Sequence, residues 1–214
     1  MGRLLVEGMI VGMVGTNCYL VYDDETKRAV VVDPGDNAPA IMQRAQARGV
    51  KPEAILLTHG HFDHVMAAEE LRRAWNAPVY AAEKEKEILS DSAKNMMESF
   101  CGEPLSLDPD VTLQDNEEFE AAGMTFRMME TPGHTIGSCC YYMEQEGILF
   151  SGDTLFQMSY GRTDFPTGSG KRMAMSVTRL LSELPEKTIV YPGHMDSTTI
   201  GFEKQNNPMA RFLR

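Results

Sequence analysis

The sequence predicts an α/β or α+β fold, with room for one sheet to pack on another. Three observations carry this. Short apolar runs alternate with helical patterns along the chain; each clear run stops at a Gly-, Pro- or Asp-containing motif; and 43% hydrophobic content in 214 residues is enough for a single domain, 1–214, with a sizeable core. All five histidines fall inside those strand-end motifs. A chain using histidine for packing or surface polarity would scatter it, so the concentration reads as one multidentate metal site.

Taken in order, the apolar run 29–32 stops at Asp33-Pro34-Gly35, and a helical pattern follows over 38–48. Run 54–57 enters Thr58-His59-Gly60-His61-Phe62-Asp63-His64, with helical patterns at 65–75 and 83–97 behind it. Run 125–129 leads to Pro132-Gly133-His134, and run 148–150 leads to Ser151-Gly152-Asp153. After a helical pattern at 171–184, run 188–191 leads to Pro192-Gly193-His194. Strands punctuated at their C-terminal ends gather their loops along one sheet edge, so ligands far apart in sequence can converge. The polar interval 90–115 reads as a solvated loop in preference to a lid.

Composition removes several classes. A net charge of −11 and a pI near 4.9 oppose nucleic acid as a partner, because a phosphate-tracking surface needs a basic face. Cys18, Cys101, Cys139 and Cys140 contain no C-x-x-C, and the adjacent pair is poorly placed to bridge to itself. Reduced thiols and a cytoplasmic location are therefore expected. The N-terminus opens like a signal peptide, but Glu7 interrupts its apolar run, and no stretch is long and apolar enough to span a membrane. The 16 methionines read as adaptable core filler.

Each candidate ligand also has a plainer account. His59 and His61 are too close for one helix face but suit a tight loop, with Gly60 letting the backbone bend between them. Asp63 alone is a helix N-cap as often as a ligand; between His61 and His64, ligation is favoured. A lone His134 or His194 would be a turn or core residue, yet both follow Pro-Gly in matching settings. Asp153 alone is a turn residue, but a two-cation site needs a bridging carboxylate. Asp33 is either a turn former or a carboxylate that orients a histidine. Arg162 reads first as an ion pair with Asp164 and second as a grip on a substrate carboxylate. Lys171 reads first as a solvated lysine, with substrate binding as its alternative.

The motif H-x-H-x-D-H at His59 to His64, followed by His134, Asp153 and His194, resembles the metallo-β-lactamase superfamily over essentially the whole chain. The resemblance implies an αβ/βα four-layer sandwich: two mixed β-sheets face to face, helices outside, metals at one edge. It also implies that His59, His61 and His134 hold one divalent transition-metal ion, that Asp63, His64 and His194 hold a second, and that Asp153 bridges them. Zinc is the expected metal, with iron or manganese as alternatives, since imidazole and carboxylate suit all three. Thr16-Asn17-Cys18-Tyr19-Leu20, Thr131-Pro132-Gly133-His134-Thr135 and Gly161-Arg162-Thr163-Asp164 resemble the glyoxalase II-like branch, hydrolases of small acyl thioesters such as S-lactoylglutathione. Asp63 is then expected to orient the attacking hydroxide as well as to bind metal. Glyoxalase II proper carries an added helical domain, whereas residues 195–214 alone follow His194 here, so looser selection of the thiol carrier is expected. The intact Asp63-His64 pair disfavours a true β-lactamase. The nearest alternative is a persulfide dioxygenase, which would use one iron on His59, His134 and Asp153; a lactonase is a weaker one.

Overall fold

A computed structural model describes residues 2–213. The N-terminal half lays down one six-stranded sheet in chain order: β1 (Leu4–Val11), β2 (Thr16–Asp23), β3 (Arg28–Val32), β4 (Lys51–Leu56), β5 (Val79–Ala82) and β6 (Val111–Leu113). β1 to β3 are antiparallel neighbours, and β3 to β6 run parallel. Parallel pairing requires crossovers, and these carry α1 (Ala38–Arg48), α2 (Phe62–Val65), α3 (Ala68–Trp75), α4 (Lys86–Leu89) and α5 (Met97–Cys101). The second sheet comprises β7 (Glu118–Ala121), β8 (Met124–Glu130), β9 (Cys139–Met143), β10 (Ile148–Gly152), β13 (Ile189–Pro192) and β14 (Thr198–Thr199). Between β10 and β13 lie the small hairpin β11 (Leu155–Phe156) with β12 (Ser159–Tyr160), and then α6 (Gly170–Glu183); α7 (Ile200–Asn206) follows β14.

Period-two alternation sorts these strands into layers. In β2, Cys18 and Leu20 face a core shared with Ile41, Ala45 and Leu71 of α1 and α3, while Tyr19 and Val21 face Phe126, Tyr141 and Phe150 of the second sheet. The far side of that sheet, through Met129, Tyr142 and Leu149, packs on Met173, Val177, Leu180 and Leu181 of α6. Three cores between four layers make the αβ/βα sandwich. Strands buried on both faces explain the near-continuous apolar runs of the sequence. Of the methionines, Met128, Met129, Met143 and Met173 fill the core, whereas Met13, Met158, Met175 and Met195 are exposed.

Helix boundaries follow local chemistry. α1 starts at Asn37, whose side chain accepts from Ala40 N, and ends at Gly49 in the left-handed region. The pattern at 65–75 is two helices, because the Ala67 N–H donates to Pro34 O instead of continuing the helical ladder. The pattern at 83–97 is also interrupted. A 3-10 turn at Glu83–Glu85 leads into α4, which ends before Asp91, whose side chain accepts from Ala93 N and Lys94 N. Such local bonds compete with a helix. The interval 90–115 contains α5 and β6 and buries Asn95, Met97 and Leu107, so it is more ordered than a solvated loop. The apolar N-terminus forms β1.

β3, β4, β8, β10 and β13 lead into Asp33, His59, His134, Asp153 and His194 respectively, within one to four residues of the strand. The two sheet edges are stitched there: Asn17 N donates to Gly193 O, and Cys139 N to Thr58 O.

Candidate metal centre

The seven candidate ligands expected from the sequence come together at that edge. Single nitrogen or oxygen atoms of His59, His61 and His134 lie within 4.8 Å of one another, as do those of Asp63, His64 and His194. Asp153 sits between the two groups: its Oδ1 is 3.4 Å from His64 Nε2, and its Oδ2 is 3.5 Å from His134 Nε2 and 3.6 Å from His194 Nε2.

Neighbours orient two of the rings, His64 and His134. Asp33 Oδ2 accepts from Thr58 Oγ1 at 2.6 Å and lies 3.0 Å from His64 Nδ1, while its Oδ1 accepts from Thr58 N. Arg162 O lies 2.8 Å from His134 Nδ1 and accepts a hydrogen bond from it. His61 turns its Nδ1 to within 2.8 Å of His134 Nε2. The Nε2 atoms of His59, His61 and His64 and Oδ1 of Asp153 are buried without a hydrogen-bond partner. Buried polar atoms are normally satisfied, and lone pairs converging from several imidazoles repel unless a cation sits among them. The donor set therefore fits divalent metal ions, through neutral imidazole and ionised carboxylate.

The charge states of His59, His61, His134, Asp63 and Asp153 agree with this, whereas His64 and His194 would have to give up a proton to ligate. Burial, reinforced by the neighbouring rings, holds His59 well below the ordinary histidine range, and burial together with His134 lowers His61 to about 3. Burial also lowers His134. For His64 burial acts the same way but is outweighed by Asp63, Asp153 and Asp33, which raise it well above the usual value. His194 is raised too: burial opposes the shift, and the hydrogen bond to Asp63 and the charge of Asp153 outweigh it. Burial would raise Asp153, yet His64 and the other rings bring it down to about 2. Asp63 is lowered for the same reason, with further help from Thr16, which donates its hydroxyl to Oδ2 at 2.8 Å.

Glycines open the centre at two places. A Cβ on Gly193 would lie 2.3 Å from Asp153 Oδ1 and 2.6 Å from His64 Cε1. Gly152, at φ 47°, turns the chain into Asp153, and a Cβ there would lie 2.2 Å from Thr58 Oγ1. Gly60 is not in the left-handed region; its bareness serves close packing, since a Cβ would meet Ile88 and Leu89 at 3.1 Å.

Asp63 lies in the first turn of α2, behind His61 at the N-cap position, and its carboxylate goes to Thr16 and His194 instead of capping. Arg162 forms two 2.7 Å hydrogen bonds to Asp164 and lies over the Phe165 ring at 3.8 Å. That ring meets His61 edge-on at 5.6 Å. Lys171 is exposed beside Ala174, Met175, Thr178 and Phe212 on the outer face of α6, and among the described residues no hydrogen bond or ion pair ties it to the centre.

Sequence reasoning missed four supports. Asn17 Nδ2 donates to Pro192 O and Met195 O, and Tyr19 Oη donates to Pro192 O, so β2 holds the His194 loop. Thr16 holds Asp63. The fourth is Glu85, a carboxylate that burial raises to about 7 against three hydrogen bonds from Gly60 N, Thr135 Oγ1 and Gly137 N. The Thr16-Asn17-Cys18-Tyr19 segment was available as a signal; nothing local marks Glu85.

Comparison with known proteins agrees with this geometry. A family model described as the metallo-β-lactamase superfamily matches residues 11–194. Hydroxyacylglutathione hydrolase GloC of Haemophilus influenzae is 36% identical over 196 residues, covering 90% of this chain and 91% of its own. Among solved structures, BLEG-1, described as a B3 metallo-β-lactamase, superposes with a TM-score of 0.90 at 39% identity, covering 98% of this chain and 99% of its own. TTHA1623, in a di-iron-bound form, superposes with a TM-score of 0.83 at 35% identity, covering 95% and 99%. The chain belongs to the metallo-β-lactamase superfamily. Within it, the chain is a metallo-hydrolase.

Proposed function

We propose that this metallo-hydrolase cleaves small acyl thioesters of the S-lactoylglutathione type with two divalent ions. The observation that carries the reading is the pair of ligand triads with Asp153 between them. His59, His61 and His134 would hold one ion, Asp63, His64 and His194 the other, and Asp153 both. A pair of divalent cations makes hydroxide available near neutral pH and polarises a carbonyl. Asp63, ionised and anchored by Thr16, orients the attacking water through its carboxylate. Phe165 against His61 and Phe156 against His194 give the centre apolar flanks. The leaving thiol, with a pKa of about 8.5, departs as thiolate without a strong general acid. The 36% identity to a hydroxyacylglutathione hydrolase supports the substrate class.

β-Lactam hydrolysis is the second reading, favoured by the 39% identity to a protein described as a metallo-β-lactamase. Zinc- and iron-loaded samples should be assayed for thiol release from S-lactoylglutathione and for opening of a chromogenic cephalosporin. A kcat/KM for the thioester at least about a hundredfold higher, near 3 kcal/mol of transition-state preference, is expected. The reverse order would replace the thioesterase reading.

A further inference from the structure

We propose that Glu85 is a positioning residue for the three-histidine half of the centre: a buried carboxylate that braces the loop carrying His59 and His61 against the loop carrying His134. The inference rests on the metal-dependent reading above. Glu85 lies in the 3-10 turn after β5 and is 1% exposed. Among the described residues no lysine, arginine or histidine lies within ion-pair distance of it. Its partners are all neutral donors from the two ligand loops. Oε1 accepts from the N–H of Gly60, the residue between His59 and His61, at 2.7 Å. Oε2 accepts from the hydroxyl of Thr135, the residue after His134, and from Gly137 N, both at 2.9 Å.

With Glu85 ionised, the polarity of this network is fixed. A carboxylate only accepts, so Thr135 donates to it. The Thr135 oxygen is then free to accept from Ser138 Oγ at 2.6 Å, and Ser138 Oγ accepts from Thr135 N at 3.0 Å. Both loops are threaded closely around the turn: a Cβ on Gly137 would lie 2.3 Å from Glu85 N and 2.6 Å from Oε2. The gap that the brace spans is the one across which His61 Nδ1 and His134 Nε2 stand 2.8 Å apart. The other half of the centre rests on Thr16, Asn17 and Asp33, none of which touches Glu85, and only Asp33 reaches the first half, through the Thr58 hydroxyl 3.2 Å from His59 Nδ1.

A buried anion without a cation is costly unless every lone pair is used, and a neutral amide cannot replace it here. A glutamine turned to accept from Gly60 presents its NH2 to the Gly137 N–H; turned the other way, it presents NH2 to the Gly60 N–H. Glu85→Gln therefore keeps the volume and releases one loop or the other.

The test compares wild type, Glu85→Gln and Thr135→Val, the last removing one of three donors while leaving the carboxylate. Stepwise Zn affinities from chelator competition, absorption spectra of the Co(II)-substituted proteins, and the ring 15N shifts of all five histidines in metal-free protein are the readouts. Glu85→Gln should weaken one ion by about 10- to 100-fold and leave the other within about threefold. It should alter one of two Co(II) environments and move the metal-free ring signals of His61 and His134 but not those of His64 and His194. Thr135→Val should shift the same quantities by less. Affinities and ring signals that stay at wild-type values, or that change equally in both halves while only the melting temperature falls, would overturn the assignment. If Glu85→Gln does not fold, Thr135→Val carries the test alone by the same criteria. Wild-type protein that binds fewer than two ions would instead count against the two-ion reading, and the metal-free ring signals would still decide the role of Glu85.

Discussion

Replacing Asp33 with Asn should detach the second ion while leaving the first. Asp33 is 2% exposed and sits at φ 50°, a conformation that asparagine shares, so the backbone turn after β3 should survive. Oδ1 takes Thr58 N at 2.8 Å; Oδ2 takes Thr58 Oγ1 at 2.6 Å and faces His64 Nδ1 at 3.0 Å. Because a carboxylate only accepts, neutral His64 must carry its proton on Nδ1, which leaves the Nε2 lone pair of the ligating form directed between Asp63 and Asp153, at 3.5 and 3.4 Å. An asparagine that keeps the Thr58 N bond turns NH2 toward His64. The imidazole then accepts on Nδ1 and protonates Nε2, a tautomer that cannot ligate. A hydrogen bond to a charged acceptor is worth about 1.5–3 kcal/mol, and losing such support of a ligand weakens metal binding by about 10- to 100-fold. Chelator competition followed by elemental analysis should find one tightly held ion in place of two, with kcat falling accordingly. Two ions retained at wild-type affinity would refute the claim that Asp33 sets the His64 tautomer; equal loss of both would refute the separation of the two halves.

Other outcomes follow from the same geometry. Gly193→Ala drives a methyl into Asp153 and His64, so it should weaken both ions by about tenfold or more, measured by chelator competition. Metal loading should release protons, seen as buffer-dependent heats in calorimetry. His64 is raised well above 6.5 by three carboxylates and must become neutral to ligate, so apparent affinity should rise with pH until His64 has deprotonated. In metal-free protein that same charged cluster stabilises the fold fully below pH 6.5, and its contribution is lost as pH rises through the folded-state value. One thiol per chain, Cys101, should react quickly with a thiol reagent at pH 8, and four should react after denaturation. Burial raises Cys18 and Cys139 and pushes Cys140 up to about 12, whereas Cys101 is half-buried. Two or more fast thiols would contradict this.

Much of the centre was legible because histidine is scarce here and each copy follows a strand whose apolar run is itself readable. The convergence of His59, His134 and His194 needed only strand ends and turns. What stayed hidden depends on contacts between segments. The break at Met66-Ala67 is set by the Pro34 carbonyl, and the early end of the 83–97 pattern by Asp91. β5 and β7, four residues each, and the three-residue β6 are too short for a periodic signal. Glu85 looks like any surface glutamate in the charged stretch Glu83-Lys84-Glu85-Lys86-Glu87; burial by two ligand loops gives it a different role. Lys171, suggested by its place at a helix start, faces away because α6 turns Met173 and Val177 toward the sheet.

The central claim, a two-ion thioesterase, is tested most directly by titrating metal-free protein with Zn or Fe while following S-lactoylglutathione hydrolysis and oxygen uptake with glutathione persulfide in the same samples. The account predicts thioester cleavage that rises to saturation at two ions per chain, with no oxygen consumed. Saturation at one ion, with oxygen uptake and no thioester cleavage, would contradict it and establish the single-iron dioxygenase in its place.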